Sequence, residues 1–230
     1  MHRPFIHIAY LGLAVIAGGL LLKSHSPAFV PWMPDGLRTP MLAFEFLETE
    51  EEVTKFFGVP DTNVMAGVAS PLDMANYIDF GFMIIYTGML FGFARMCHQR
   101  KPSRRFLFLM ALAVFIFLAD LVETIALLNI TAGLAGQDFG GALILLKIFT
   151  WLKWGGLALY FLVLSRYFFQ GNAFAKGVGV AAFLPAILGI SAFFHRSALN
   201  EFFGLSITIM FLLIIIYSFT FREAVDRSKA

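Results

Sequence analysis

Apolar residues gather in six runs of roughly 20, the length a helix needs to cross the hydrocarbon core of a bilayer. They lie near 5–22, 76–96, 106–129, 142–168, 177–195 and 202–221. The first, "FIHIAYLGLAVIAGGLLL", follows His2 and Arg3 and has the outline of a signal peptide. Its apolar core is longer than the about 7–15 residues usual there, and Lys23 stands where a cleavage region belongs, so a membrane helix is expected. The pattern predicts an all-α polytopic membrane protein, a single membrane domain over 1–230 with six transmembrane helices. Pro185 within "AAFLPAILG" predicts a kink in the fifth.

The longest polar interval, 23–75, opens with a Pro- and Gly-rich turn region, "PWMPDGLRTP". "MLAFEFLETEEEVTKFFG" follows, with Leu42, Phe46, Val53, Phe56 and Phe57 set against a run of acids. Thr49 and Glu52 have capping-box spacing, which predicts a helix over 50–57. One broken or two short amphipathic helices are expected here. An acidic helix has no attraction to anionic headgroups, so it should cap the bundle rather than lie on lipid.

Basic residues in short loops set orientation. Arg95, Arg100, Lys101, Arg104 and Arg105 crowd the second connection, Arg166 and Lys176 flank the fourth, and Arg222, Arg227 and Lys229 lie in the tail. The alternate connections are acidic or nearly neutral. Both termini are therefore expected in the cytoplasm of a bacterium, with the chain in its inner membrane.

Composition supports the class: 59% of residues are hydrophobic, 14% are charged, and 28 are Phe. Mean hydropathy is +0.80. A net charge of +2 reflects topology, not a nucleic-acid patch. Cys97 is the only cysteine, which excludes an intrachain disulfide and a dithiol redox couple. The five histidines sit near span ends, so no bis-histidine haem is expected, and no His or Cys pair has zinc-ligand spacing. Neither cofactor nor metal is expected. Spans two to four carry Asp79, Asp120, Glu123, Lys147 and Lys153, while five and six carry no charge in their interiors. That asymmetry argues against a transporter built from two inverted halves.

Those charges carry the candidate chemistry. With about 1.5 Å of rise per residue, Asp120 falls roughly 10–14 Å and Glu123 roughly 5–9 Å below the outer boundary. Lys147 falls about 8 Å down, Asp79 about 5 Å, and Lys153 near the midplane. One Asp at a helix centre costs about 2.5–3.5 kcal/mol, so each charge must meet a partner. Asp120, Glu123, Thr124 and Leu127 share one helical stripe, and Lys147, Trp151 and Trp154 share another. Lys147 is therefore expected against Asp120 or Glu123, in a polar cavity open to the outer side. A pair that only fixes helix register is the plainer alternative.

The ordered segments "MLAFEFLETEEEVTKFFG", "YIDFGFMIIYTGMLFGFARM", "LADLVETIALL" and "LKIFTWLKWGGLALYFLVL" resemble a family of small bacterial polytopic membrane proteins with a D-x-x-E-N/T membrane helix. The resemblance spans about 40–165 and implies that Glu45, Asp79, Asp120, Glu123 and Lys147 belong to one conserved set. Thr124 stands where that family more often carries Asn. No activity comes with the resemblance.

Three functions fit these observations. In the first, Asp79, Asp120, Glu123, Lys147, Trp151 and Trp154 form a binding site for a lipid or other amphiphile near the outer leaflet. In the second, the carboxylates act as acid and base of an intramembrane enzyme on such a molecule. In the third, the charges are structural and the chain is an accessory subunit partnered by another membrane protein.

Overall fold

A computed structural model describes residues 3–222, and among them the fold is all-helical, with six segments long and apolar enough to span a membrane. The nine helices are α1 (Ile6–Ser24), α2 (Pro40–Glu45), α3 (Glu50–Phe57), α4 (Thr62–Arg100), α5 (Arg104–Gly133), α6 (Gly140–Phe168), α7 (Ala173–Ala181), α8 (Leu184–Phe194) and α9 (Ala198–Thr220). The fifth span is the α7–α8 pair. Pro185 lies in the first turn of α8, where its missing N–H is harmless, so a break replaces the expected kink. Arg227 and Lys229 lie outside the described residues.

At 39 residues, α4 is about 58 Å long, nearly twice the thickness of a hydrocarbon core. It begins well before the apolar run does, because Asp61 caps it by accepting from the N–H groups of Asn63 and Val64. The segment 62–75 is therefore helix continuing beyond the span. α5 packs along both α4 and α6, while α1 packs on α4 and α9. Gly156 lets α6 close on α5, since a Cβ there would lie 2.8 Å from Ile116 Cγ1.

α2 and α3 form the expected cap. Thr49 caps α3 by accepting from the Glu52 N–H at 3.2 Å. Glu52 turns back to accept from the Glu48 N–H at 2.7 Å, one residue short of the reciprocal capping-box bond. Val53, Phe56 and Phe57 are fully buried, and the Phe44, Phe56 and Phe57 rings meet with centroids 5.0–5.7 Å apart.

Arg196, in the α8–α9 turn, locks this cap down. It donates to both Glu52 carboxylate oxygens and to the Phe46 carbonyl, the last at 2.8 Å. Glu201 accepts from the Arg38 N–H, the Thr39 N–H and the Thr39 hydroxyl at 2.7–2.8 Å. Burial pushes the Glu52 carboxyl up, but the Arg196 guanidinium and the Glu48 N–H outweigh it and hold the group below its ordinary value.

Two apolar cores result. One, nearer the basic loops, contains Phe93, Leu109, Ile116, Tyr160, Phe168 and Tyr217. The other, under the cap, contains Phe44, Phe56, Leu72, Leu127, Ile130 and Leu146. Between the two cores each of α4, α5 and α6 buries polar side chains: Asn76 on α4, Asp120, Glu123 and Thr124 on α5, Thr150 and Lys153 on α6.

Candidate functional site

That layer is built from one stripe of each helix. α6 buries Leu143, Leu146, Thr150, Lys153 and Leu157, a 3/4 spacing that turns Thr150 and Lys153 toward α5. From α5 the layer receives Asp120, Glu123 and Thr124, exposed by only 2%, 0% and 1%. From α4 it receives Asn76, Asp79 and Tyr86. The cap adds Glu45, the last residue of α2.

Lys153 is the hub. Its Nζ lies 3.2 Å from Glu45 Oε1 and 3.3 Å from Asp120 Oδ1, and it is paired closely with Glu123 Oε2. The Trp154 ring centroid is 5.4 Å away, within cation–π range. Neutral donors take the remaining carboxylate oxygens. Tyr86 donates to Asp120 Oδ2 at 2.6 Å, Thr150 to Glu123 Oε1 at 2.6 Å, Trp154 Nε1 to Glu45 Oε2 at 2.8 Å, and Thr124 to Asp79 Oδ2 at 3.0 Å. Asp120 Oδ1 and Glu123 Oε2 face Lys153 without taking a directed hydrogen bond.

Three carboxylates thus share one ammonium, and a fourth, Asp79, lies in the same layer with Thr124 as its donor, between the two apolar cores. One positive charge balances one carboxylate. The other three need protons or a further cationic group, because an unbalanced charge in such a medium is costly. Among the described residues, no group of three His, Cys, Asp or Glu side chains is arranged to hold a metal ion.

The structure brings together Asp79, Asp120, Glu123 and Trp154. It does not bring Lys147 to them, and that expectation is corrected. Lys147 is exposed and Lys153 takes its place, because six residues of helix separate their directions by about 240°. The stripe that carries Lys147 is not the one bearing Leu143, Leu146 and Thr150, which packs on α5. Trp151 lies at the margin, its ring against Phe46 and Phe193 at 5.2 and 5.0 Å. The layer is also closed toward the cap rather than open, since Glu45 and Phe46 lie over it. Two cavities lie elsewhere. One of about 520 Å³ adjoins the Arg196–Glu52 lock, and one of about 610 Å³ lies between Phe174, Tyr217 and Arg222.

Sequence reasoning counted Lys153 among the buried charges but gave the pairing with the acids to Lys147, and it did not single out Thr150. Both α6 stripes are largely apolar and each carries one lysine, so the sequence holds no signal that singles out Lys153 and Thr150. Comparison of the chain with protein-family models, with curated proteins and with solved structures finds no match.

Proposed function

We propose that this chain is a bacterial inner-membrane protein, with both termini in the cytoplasm and the cap outside, whose polar layer binds the head of a lipid or other amphiphile. The observation that carries this reading is the excess of carboxylates. A device that only fixes helix register needs one acid and one lysine, and each further buried acid costs stability without adding register. Here three acids from two elements, Glu45, Asp120 and Glu123, converge on Lys153, and Asp79 from a third element joins the layer through Thr124. One of them, Glu45, is delivered by a cap that is itself latched by Arg196 and Glu201.

In this reading the cap lifts at its latches, the head enters the layer, and Trp151 and Trp154 border the apolar part of the ligand. A brominated-tail lipid at low mole fraction tests it, because bromine quenches tryptophan only on close approach. Saturable quenching in the wild type that is lost in Asp120→Asn, with the helical content and melting of that variant intact, supports binding. Quenching that rises linearly with lipid in both proteins overturns it.

A further inference from the structure

The face of α4 toward α5 carries a polar ladder that Lys153 does not serve. Thr131 donates to Asp73 Oδ1 at 2.7 Å, and Thr124 donates to Asp79 Oδ2 at 3.0 Å. These antiparallel rungs fix the register, and Asn76 falls between them, three residues from each acid and therefore on the same helical face. Asn76 is 1% exposed, yet neither its Oδ1 nor its Nδ2 has a hydrogen-bond partner among the described residues. Buried amides are rarely left so, because each orphaned atom carries its full desolvation penalty.

Charge sharpens the picture. Among the described residues, Asp73 and Asp79 have no cation within ion-pair distance, while the Lys153 ammonium lies among Glu45, Asp120 and Glu123. Asp79 as a residue is only partly buried, unlike Asp120 and Glu123.

We propose that the α4–α5 seam at Asp79 and Asn76 takes a primary ammonium carrying an oxygen acceptor a few bonds away, the chemistry of an ethanolamine-type head. This deepens the amphiphile-binding reading and rests on it. The ammonium donates to Asp79 and to Asn76 Oδ1, and Asn76 Nδ2 donates to the ligand's phosphate or ester oxygen. A carboxamide needs a donor and an acceptor together, and this head offers both. An anionic head without an ammonium brings no cation to Asp79. A quaternary ammonium has no N–H to give, so it leaves Asn76 Oδ1 without a donor and Asp79 with Thr124 alone.

The test uses the full-length protein in nanodiscs containing dioleoylphosphatidylethanolamine, dioleoylphosphatidylcholine and dioleoylphosphatidylglycerol in equal parts. The lipid that stays bound after ejection into the mass spectrometer is counted. The proposal expects the ethanolamine lipid to be retained roughly tenfold or more over each of the others, the scale of a charge-assisted hydrogen bond. Asp79→Asn and Asn76→Leu should each abolish the preference. Asn76→Leu should also melt no lower than wild type, since it removes two orphaned polar atoms; an amide serving only structure would melt lower when lost. In a separate arm, phosphoethanolamine is added to phosphatidylcholine discs. A rise in melting temperature there assigns the site to a free amine, and no rise beside a retained ethanolamine lipid assigns it to the lipid. Retention of all three lipids alike overturns the ammonium site while leaving amphiphile binding standing. Retention of no lipid, with no shift from phosphoethanolamine, overturns both.

Discussion

Replacing Lys153 with Met isolates the contribution of the one cation in the layer. Each attraction to a carboxylate about 3.3 Å away is worth ~5 kcal/mol at an effective dielectric constant near 20. Set against this is the several kcal/mol of desolvation that the ammonium no longer suffers once removed. The mutual repulsion of Glu45, Asp120 and Glu123 remains, while Tyr86, Thr150 and Trp154 still donate to them. The expected loss is about 3–5 kcal/mol, the range seen when one partner of a buried pair is deleted. Lys147→Met, on the same helix but exposed, should stay within about 0.5 kcal/mol of wild type. Reversible unfolding in mixed detergent and SDS micelles, followed by tryptophan fluorescence, reads both, with Trp154 as the local reporter. A double variant, Lys153→Met with Glu123→Gln, should recover about 1–3 kcal/mol, because the two sites are directly coupled. A Lys153→Met protein within about 1 kcal/mol of wild type, or a Lys147→Met protein equally damaged, would refute the assignment of Lys153 as hub.

Other consequences reach the cap and the topology. Glu52 is held below its ordinary 4.5 by Arg196 and Glu48, so its contribution is fully present above that pH and fades as pH falls through the lowered value. Hydrogen exchange of 40–57 should therefore accelerate only in acid. Arg196→Met should weaken cap protection by about 2 kcal/mol and remove the acid step. Gly36 has φ +84, and a Cβ there would lie 2.4 Å from the Ala198 N, a backbone atom that cannot swing aside. Gly36→Ala should loosen the cap by more than about 1 kcal/mol, seen as faster exchange over the same segment. For orientation, Cys97→Ala supplies the background, since Cys97 is buried. An impermeant maleimide should label Ala135→Cys on intact cells and Arg104→Cys only after permeabilisation; the opposite pattern reverses the topology.

The spans were legible because twenty apolar residues in a row leave the backbone little choice but helix. The cap was legible too, since Thr49 and Glu52 mark a helix start and the acids above a Phe stripe exclude the membrane surface. What escaped was rotation. Both α6 stripes hold one lysine, and only packing against α5 shows that Leu143, Leu146, Thr150 and Lys153 face inward. The reach of Glu45 also escaped, because sequence alone does not place a six-residue helix over a particular layer. Its membership was implied by resemblance rather than by spacing. Asp73 was hidden by the span boundary, since α4 begins at Thr62, well before the apolar run.

The central claim is that the carboxylate-rich layer holds the head of another molecule. Native mass spectrometry of the wild-type protein, extracted gently from its own membrane, tests it most directly. The account predicts a small amphiphile retained at one per chain and released in the Asp120→Asn variant. A bare chain, or a second polypeptide at fixed ratio with no small molecule, would contradict it and make the charges a device for assembly.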